Sequence, residues 1–536
     1  MTDEDFTALG LIAPPTRLDP PGYPSQVAGV VERAAAATPD DLGLVDSRQS
    51  FTFSELARAI AAAATLIDAA GIRSGDRIAA SLGNEANLVI AFFATMRLGA
   101  VWVGINKVLP AADKLFILGH SDARLLLTDS TVAAQLGSQV DDLASLEQTW
   151  VLDSPDANGG WHEAQSGPTP VDAPSPPIDP FAPATIMYTS GTTGVPKGVV
   201  HSQHNMIIVP AAGFAHGLMH REARRGSALP LTITNVMILG PLSAFLAGKP
   251  FLFAPSAKIG PLVDWINEKQ IEQISFVPAM VYDLLQADRD LPSCLVLGTG
   301  GAPLPEMIRE QFYQRYGYHI MTSYGLTEAP TVVAQPLGDV APEGASGKAM
   351  PHLEITIRDE DGNILPTGTV GEVCFSTTRS GPWAGVYTPP LGYWRDGEKS
   401  RALLRGGVVH SGDHGRLDGD GWLSIADRSS ELILRGGSNV YPAEIERVLH
   451  THADVADCAV VGKSDLRMGM LTVAFIQAAR ANIDPEWLEA ELRTLCSANL
   501  SRYKVPDEWR FIEAMPRNAM GKVIKPRLRE LVAETN

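Results

Sequence analysis

The sequence predicts an α/β protein: a large N-terminal domain of wound α/β subdomains, a β-rich subdomain, and a small α+β C-terminal domain. Three observations carry this prediction. At 536 residues the chain exceeds what one hydrophobic core supports, because single cores stop growing beyond about 250–300 residues. Its first part alternates helical and short apolar strand signals, as a wound sheet with crossover helices does. Beyond His352 the texture changes to alternating stretches around Asp-Gly turns, which read as hairpins.

Along the chain, Thr52 and Glu55 have capping-box spacing and open an Ala-rich helix toward Ala70. Residues 77–82 and 124–128 read as short buried strands, with the apolar-rich stretch 87–105 largely helical between them. Residues 154–183 are rich in Pro, Gly, Ser and Asp, which marks a surface excursion delivering the chain to Thr185. Residues 226–248 carry no charge, but Pro230, Asn235, Gly240 and Pro241 interrupt them, so they read as buried core rather than a membrane span. Strands follow at 250–254, 273–277 and 294–298, and a helix at 305–316. The β-rich subdomain is expected at about 345–427, and amphipathic helices at 439–450 and 484–499. The domains are therefore expected at 1–427 and 428–536.

Composition bounds the function. An apolar fraction of 45% and a charged fraction of 19% are those of an ordinary globular protein. A net charge of −18 argues against nucleic acid or an anionic membrane as partner, since both need a basic footprint. Cys294, Cys374, Cys458 and Cys496 are scattered without metal-ligand or redox spacing. With an acidic amino terminus in place of a signal peptide, a cytoplasmic location is expected.

The strongest chemical signal is YTSGTTGVPKGV at 188–199. Small hydroxyl and glycine residues let backbone amides and side-chain hydroxyls approach phosphate oxygens, while Lys197 supplies positive charge. The spacing is not that of a Walker loop. A second run, GTGGAPLP at 298–305, is weak by itself.

Together these segments resemble the adenylate-forming superfamily, which includes acyl- and aryl-CoA synthetases, peptide-synthetase adenylation domains and luciferases. The 188–199 segment is similar to its phosphate loop, 298–305 to its adenine-side loop, and SYGLTE at 323–328 to its aromatic-Gly-x-Thr-Glu motif. HSGDHGRLDGDGWL at 410–423, DRSSELILRGGSNVYPAEIE from Asp427, and PRNAMGK ending at Lys522 are similar to the ribose, hinge and catalytic-lysine segments. A collinear set is far more specific than any one member.

The resemblance implies roles. Thr189, Ser190, Gly191, Thr192, Thr193, Gly194 and Lys197 would hold the ATP phosphates, with Gly300, Gly301, Ala302, Pro303, Ser323 and Gly325 around the nucleotide. Tyr324 would stack on adenine, Asp413 would bind both ribose hydroxyls, and Arg428 would lie near ribose or phosphate. Thr327 and Glu328 would hold Mg²⁺, a small hard ion that prefers oxygen. Lys522, aided by Thr189 and Glu328, would offset charge as a carboxylate oxygen attacks the α-phosphorus. Thr232, Ile233, Asn235, Gly298 and Gly300 would line the acyl pocket. The C-terminal domain would be mobile, turning at Glu431 so that Arg435, Gly436 and Gly437 line a pantetheine tunnel.

The chain departs from the pattern at three places. Ser429, Ser430 and Glu431 replace the usual x-Lys-Asp at the hinge. Thr232, Ile233 and Thr234 stand where a pocket His is common, and Arg435 suits either a CoA phosphate or a carboxylate. The expected activity is ATP-dependent acid–thiol ligation with coenzyme A as acceptor. The alternatives are an enzyme that loads a separate carrier protein or releases acyl-AMP, and a non-catalytic nucleotide-binding sensor. Either a monomer or a homodimer fits.

Overall fold

The computed structural model describes residues 1–536 apart from 156–158, 169, 171, 190–195, 288, 294, 302–303, 429–430, 432, 436–437, 466–467, 501, 519–520 and 534–536, and apart from the side chains of Asp427, Arg428, Leu434, Ser438 and Asn439. Two large sheets carry the chain as far as Arg428. In the first, the strands Pro183–Thr189, Val101–Gly104, Arg77–Ser81, Ala123–Thr128 and Gln148–Val151 run parallel in that spatial order. Lys197–Ser202 returns antiparallel beside Pro183–Thr189, and Gly392–Tyr393 closes that edge.

The second sheet is parallel through Phe251–Phe253, Arg225–Ser227, Gln273–Phe276, Val296–Thr299 and Met321–Tyr324, in that spatial order. It then continues antiparallel, through Val333–Ala334 and Gly347–Ala349, into Trp422–Arg428, Val409–Leu417, Gly371–Thr377 and Leu353–Arg358. The β-rich stretch is thus an extension of the parallel sheet, sharing its edge rather than standing apart. Buried helices Phe53–Ala69, Ala86–Arg97 and Gln203–His216 pack with both sheets in one apolar core.

After Arg428 a smaller sheet begins. The strands Val455–Asp465 and Gly469–Ala478 form its long antiparallel centre, flanked by Ile433–Arg435 and, in parallel, by Glu508–Phe511. Helices Pro442–Leu449 and Pro485–Asn499 bury their apolar faces against it.

Local signals were mostly right. Both capping-box bonds form, Thr52 N–H to Glu55 at 2.8 Å and Glu55 N–H to Thr52 Oγ1 at 3.2 Å. The stretch 87–105 divides into a helix and the strand Val101–Gly104, which the sequence reading missed because a four-residue strand buried on both faces has no alternation. The 154–183 excursion is anchored rather than wholly superficial: Trp161 is fully buried and its indole N–H donates to Asn87 at 2.9 Å. The helix expected at 439–450 shortens to Pro442–Leu449 because Ser438–Val440 pairs as a strand with Ile433–Arg435. The uncharged 226–248 stretch breaks into short buried turns of helix, and no helix among the described residues is long and apolar enough to cross a membrane.

Candidate active site

The phosphate-loop segment joins the strands Pro183–Thr189 and Lys197–Ser202, with Thr189 directly opposite Lys197. Its tip, Ser190, Gly191, Thr192, Thr193 and Gly194, lies outside the described residues. Thr189 lies at the carboxyl end of its strand in the parallel set, where open α/β sheets place their ligands. Lys197 Nζ lies 5.8 Å from the ring centre of Tyr393, a residue that no sequence motif had singled out. The Tyr393 hydroxyl donates to Glu328 Oε1 at 2.7 Å. Burial and the adjacent Glu328 carboxylate hold that phenol well above its usual range, so it stays a donor. One tyrosine therefore links the lysine beside the phosphate loop to the acid expected at the metal.

The segment carrying Thr327 and Glu328 is a tight reversal. Leu326 and Ala329 exchange both backbone hydrogen bonds at 3.1 Å, and Val332 N–H returns to the Tyr324 carbonyl at 3.0 Å. Gly325 is obligatory there, because a Cβ at that position would sit 2.3 Å from the Thr331 nitrogen. Thr331 itself is left-handed at φ 48, a conformation that costs a non-glycine residue energy and recurs at functional sites. His201 Nε2 lies 2.7 Å from the Thr327 carbonyl. Burial lowers the His201 pKa to about 4, so the ring is neutral and Nε2–H is the donor. Beside it is a cavity of about 10 Å³, room for one water, lined in part by His201, Asn205, Glu328, His352 and Tyr387. His201 Nδ1, His352 Nδ1 and the Tyr387 hydroxyl have no hydrogen-bond partner among the described residues, the polarity such a water requires.

On the nucleotide side, Gly298 and Gly300 end the strand Val296–Thr299 and run past Ser275 and Ser323; a Cβ on Gly300 would lie 3.0 Å from Ser323 Oγ. Ala302 and Pro303 lie outside the described residues. Tyr324 and Asp413 meet: the phenol donates to Asp413 Oδ2 at 2.6 Å, and Asp413 is 4% exposed. Arg428 is the backbone partner opposite Asp413 on the neighbouring strand.

Other expected residues are dispersed. Thr232 is buried, Ile233 half-buried, and Asn235 Oδ1 is buried with no hydrogen-bond partner among the described residues. Lys522 sits in a hairpin-like loop closed by Asn518 N–H to the Lys522 carbonyl at 2.8 Å. That loop faces the larger domain, since a Cβ on Gly521 would lie 3.9 Å from Val277, just past the strand Gln273–Phe276. Glu431 is ion-paired with Lys525 Nζ at 2.8 Å, and Lys525 also reaches Glu446 at 2.9 Å. Arg435 forks onto Asp507, Nε to Oδ2 at 2.9 Å and Nη2 to Oδ1 at 2.5 Å, so of its two expected partners it holds the carboxylate in this conformation. Gly436 and Gly437 lie outside the described residues.

The donor set suits the expected ligands. Thr327 and Glu328 offer the hard oxygen atoms that Mg²⁺ takes, with Glu328 aimed by Tyr393 through one carboxylate oxygen only.

Comparison with known proteins agrees. Residues 31–381 match the AMP-binding enzyme family and residues 444–522 match the AMP-binding enzyme C-terminal domain. The chain is 32% identical to a 2-succinylbenzoate–CoA ligase of Geobacillus kaustophilus, across 94% of this chain and 98% of that protein. It is 31% identical to the fatty acid–[acyl-carrier-protein] ligase ScoC of Streptomyces coeruleorubidus, across 90% and 92%. Its fold superposes with a TM-score of 0.79 on the o-succinylbenzoate CoA synthetase of Bacillus subtilis, solved with its acyl-adenylate intermediate, at 28% identity over 94% of this chain and 98% of that one. With the 188–199 segment set in a strand hairpin, a glycine-locked Thr-Glu reversal and a buried aspartate bonded to Tyr324, and with both family matches in order, the chain belongs to the adenylate-forming AMP-binding enzymes.

Proposed function

We propose that this protein is an AMP-forming acid–thiol ligase that takes a carboxylic acid through an acyl-adenylate to a CoA thioester. The carboxylate oxygen attacks the α-phosphorus of ATP and pyrophosphate leaves; the CoA sulfur then attacks the acyl carbon and AMP leaves. The observation that carries this reading is the Lys197–Tyr393–Glu328 junction, which joins the phosphate-loop hairpin of one sheet to the Thr-Glu reversal of the other. A purely structural seam has no need of a lysine over the ring, and a carboxylate on the hydroxyl, of one half-buried tyrosine.

Within this reading each residue has a task. Thr189 and Lys197 contact the triphosphate, and Asp413, already fixed by Tyr324, takes the ribose hydroxyls. Thr327 and Glu328 would hold Mg²⁺, which would neutralise phosphate charge. Lys522 supplies a cation where negative charge grows on the attacked phosphorus. Residues 428–536 act as the moving domain, with Glu431 at the pivot.

The acyl pocket departs from its class, with Thr232, Ile233 and Thr234 standing where a His is common. Asn235 Oδ1, buried with no hydrogen-bond partner among the described residues, favours an acid that carries a hydrogen-bond donor, since a buried acceptor left unmatched costs about 1–3 kcal/mol. The test is pyrophosphate release over a panel of carboxylic acids, paired by presence or absence of an N–H or O–H, each with and without CoA. Release with no acid in a broad panel defeats the ligase reading and favours a non-catalytic sensor. The likeness to ScoC supports a second acceptor, a phosphopantetheine carrier protein. Acyl transfer to a holo-carrier and none to CoA decides for it.

A further inference from the structure

At the start of the ribose segment, beside the residues assigned to ATP, the strands Gly371–Thr377 and Val409–Leu417 bring three metal-ligating side chains together. Cys374 lies directly opposite His410 in the antiparallel register, and Glu372, two residues before Cys374, projects from the same face. Cys374 Sγ is 3.6 Å from His410 Nδ1, and that nitrogen is 2.8 Å from Glu372 Oε2. The three donor atoms all lie within 4.8 Å of one another.

We propose that Glu372, Cys374 and His410 form a second metal site, independent of the nucleotide, that takes a thiophilic divalent ion of the zinc class. Zinc bonds of about 2.0–2.3 Å to sulfur, nitrogen and oxygen put neighbouring tetrahedral ligands about 3.3–3.6 Å apart. The sulfur–nitrogen pair already has that spacing, and the nitrogen–oxygen pair needs to open by about half an ångström, less than one side-chain torsion step. A thiolate and a carboxylate neutralise the ion's charge, and the mixed soft and borderline donors select Zn²⁺ or Co²⁺ over Mg²⁺. Access comes from the Glu372 side, whose side chain is 23% exposed against 10% for His410, while Cys374 forms the buried floor. Three protein ligands leave one position for water.

A histidine–glutamate hydrogen bond explains two of these residues. The thiol is the discriminating third, because a buried strand position there is equally well filled by Val or Ala. The site also touches the nucleotide machinery: Glu372 Oε1 accepts the Gly412 N–H at 3.2 Å, one residue before Asp413. The same carboxylate therefore faces the ion through one oxygen and steadies the ribose-side turn through the other.

Cobalt reports thiolate ligation directly. Chelator-stripped protein titrated with Co²⁺ in the absence of nucleotide is expected to develop a near-ultraviolet sulfur-to-cobalt charge-transfer band that saturates at one equivalent and is displaced by Zn²⁺. His410→Ala should weaken Co²⁺ binding at least tenfold, and both Cys374→Ser and Cys374→Ala should abolish the band while circular dichroism reports an unchanged fold. The absence of a band in the parent protein at equimolar Co²⁺, or a band that survives in a folded Cys374 variant, overturns the proposal. Because no substrate enters the titration, either result leaves the ligase reading untouched.

Discussion

The two sides of the candidate site are built differently. On the nucleotide side, polar groups hang from packed strands and are fixed by short, half-buried hydrogen bonds: Tyr393 to Glu328, Tyr324 to Asp413 and His201 to the Thr327 carbonyl. On the lysine side, Lys522 rides on a half-buried loop, and the residue at the expected pivot is held by ion pairs, Glu431 and Glu446 sharing Lys525. Hydrogen bonds between groups anchored in packed strands specify one geometry, whereas a cation shared by two carboxylates has an alternative partner at hand. On the proposed roles, the contrast means that the nucleotide would meet a preformed surface and Lys522 would act from a replaceable arrangement, as two successive reactions in one cleft would require.

The largest effect is expected on the lysine side. Lys522→Ala should slow adenylate formation by about 10²–10³-fold, the cost of one lost transition-state charge partner, while thioester formation from supplied acyl-adenylate is retained. Measuring the half-reactions separately breaks the comparison if both fall together. On the fixed side, Gly325→Ala forces a methyl into the Thr331 backbone and should destabilise the protein by about 1–3 kcal/mol, read as a lower unfolding midpoint with weakened ATP binding.

Acid should attack the fixed side as well. His201 and His204 are buried neutral with pKa values lowered to about 4 from 6.5, so the unfolded chain binds more protons below pH 6.5. Their contribution is complete above 6.5 and is lost as pH falls from 6.5 toward 4, at up to about 1.4 kcal/mol per pH unit for each group. Urea unfolding across that window should become shallower in pH for His201→Gln; an unchanged slope removes His201 from the account.

Smaller effects sharpen the contrast. Tyr393→Phe deletes one hydrogen bond to Glu328 and should raise the KM for ATP about tenfold, roughly 1–1.5 kcal/mol, with its Mg²⁺ requirement shifted upward. Smallest in its effect on rates is Lys525→Met, which removes the cation shared by Glu431 and Glu446 in a mostly buried cluster. A change of a few-fold in the ratio of adenylation to thioester rates is expected. Equal scaling of both rates shows that the pair braces the domain without biasing its rotation.

Much of the site was legible because its chemistry is packed into short collinear segments. The phosphate-loop strands, the Tyr324–Glu328 reversal and the Gly412–Asp413 turn could each be located from residue types alone. Tyr393 could not, since its partner Glu328 lies 65 residues away and a Gly-Tyr-Trp stretch carries no charge to betray it. His201 was hidden for the same reason: its ring meets Thr327 across 126 residues of chain. Arg435 illustrates an ambiguity that only packing resolves, for Asp507, 72 residues on, closed its fork. Cys374 looked inert by spacing, because the cysteine count tests neighbours along the chain and its companion His410 lies across a strand pair.

By itself the sequence determined the family chemistry, the wound α/β class and the order of the segments, because hydrophobic period, capping residues and glycine-rich turns act over a few residues. Tertiary structure alone decided which side chains meet: that the β-rich stretch extends the parallel sheet, that Tyr393 bridges Lys197 and Glu328, and that Lys525 holds Glu431. The reason is that contacts between distant segments are set by sheet order and register, and a side chain's partner across the sheet leaves no periodic trace in the chain that carries it.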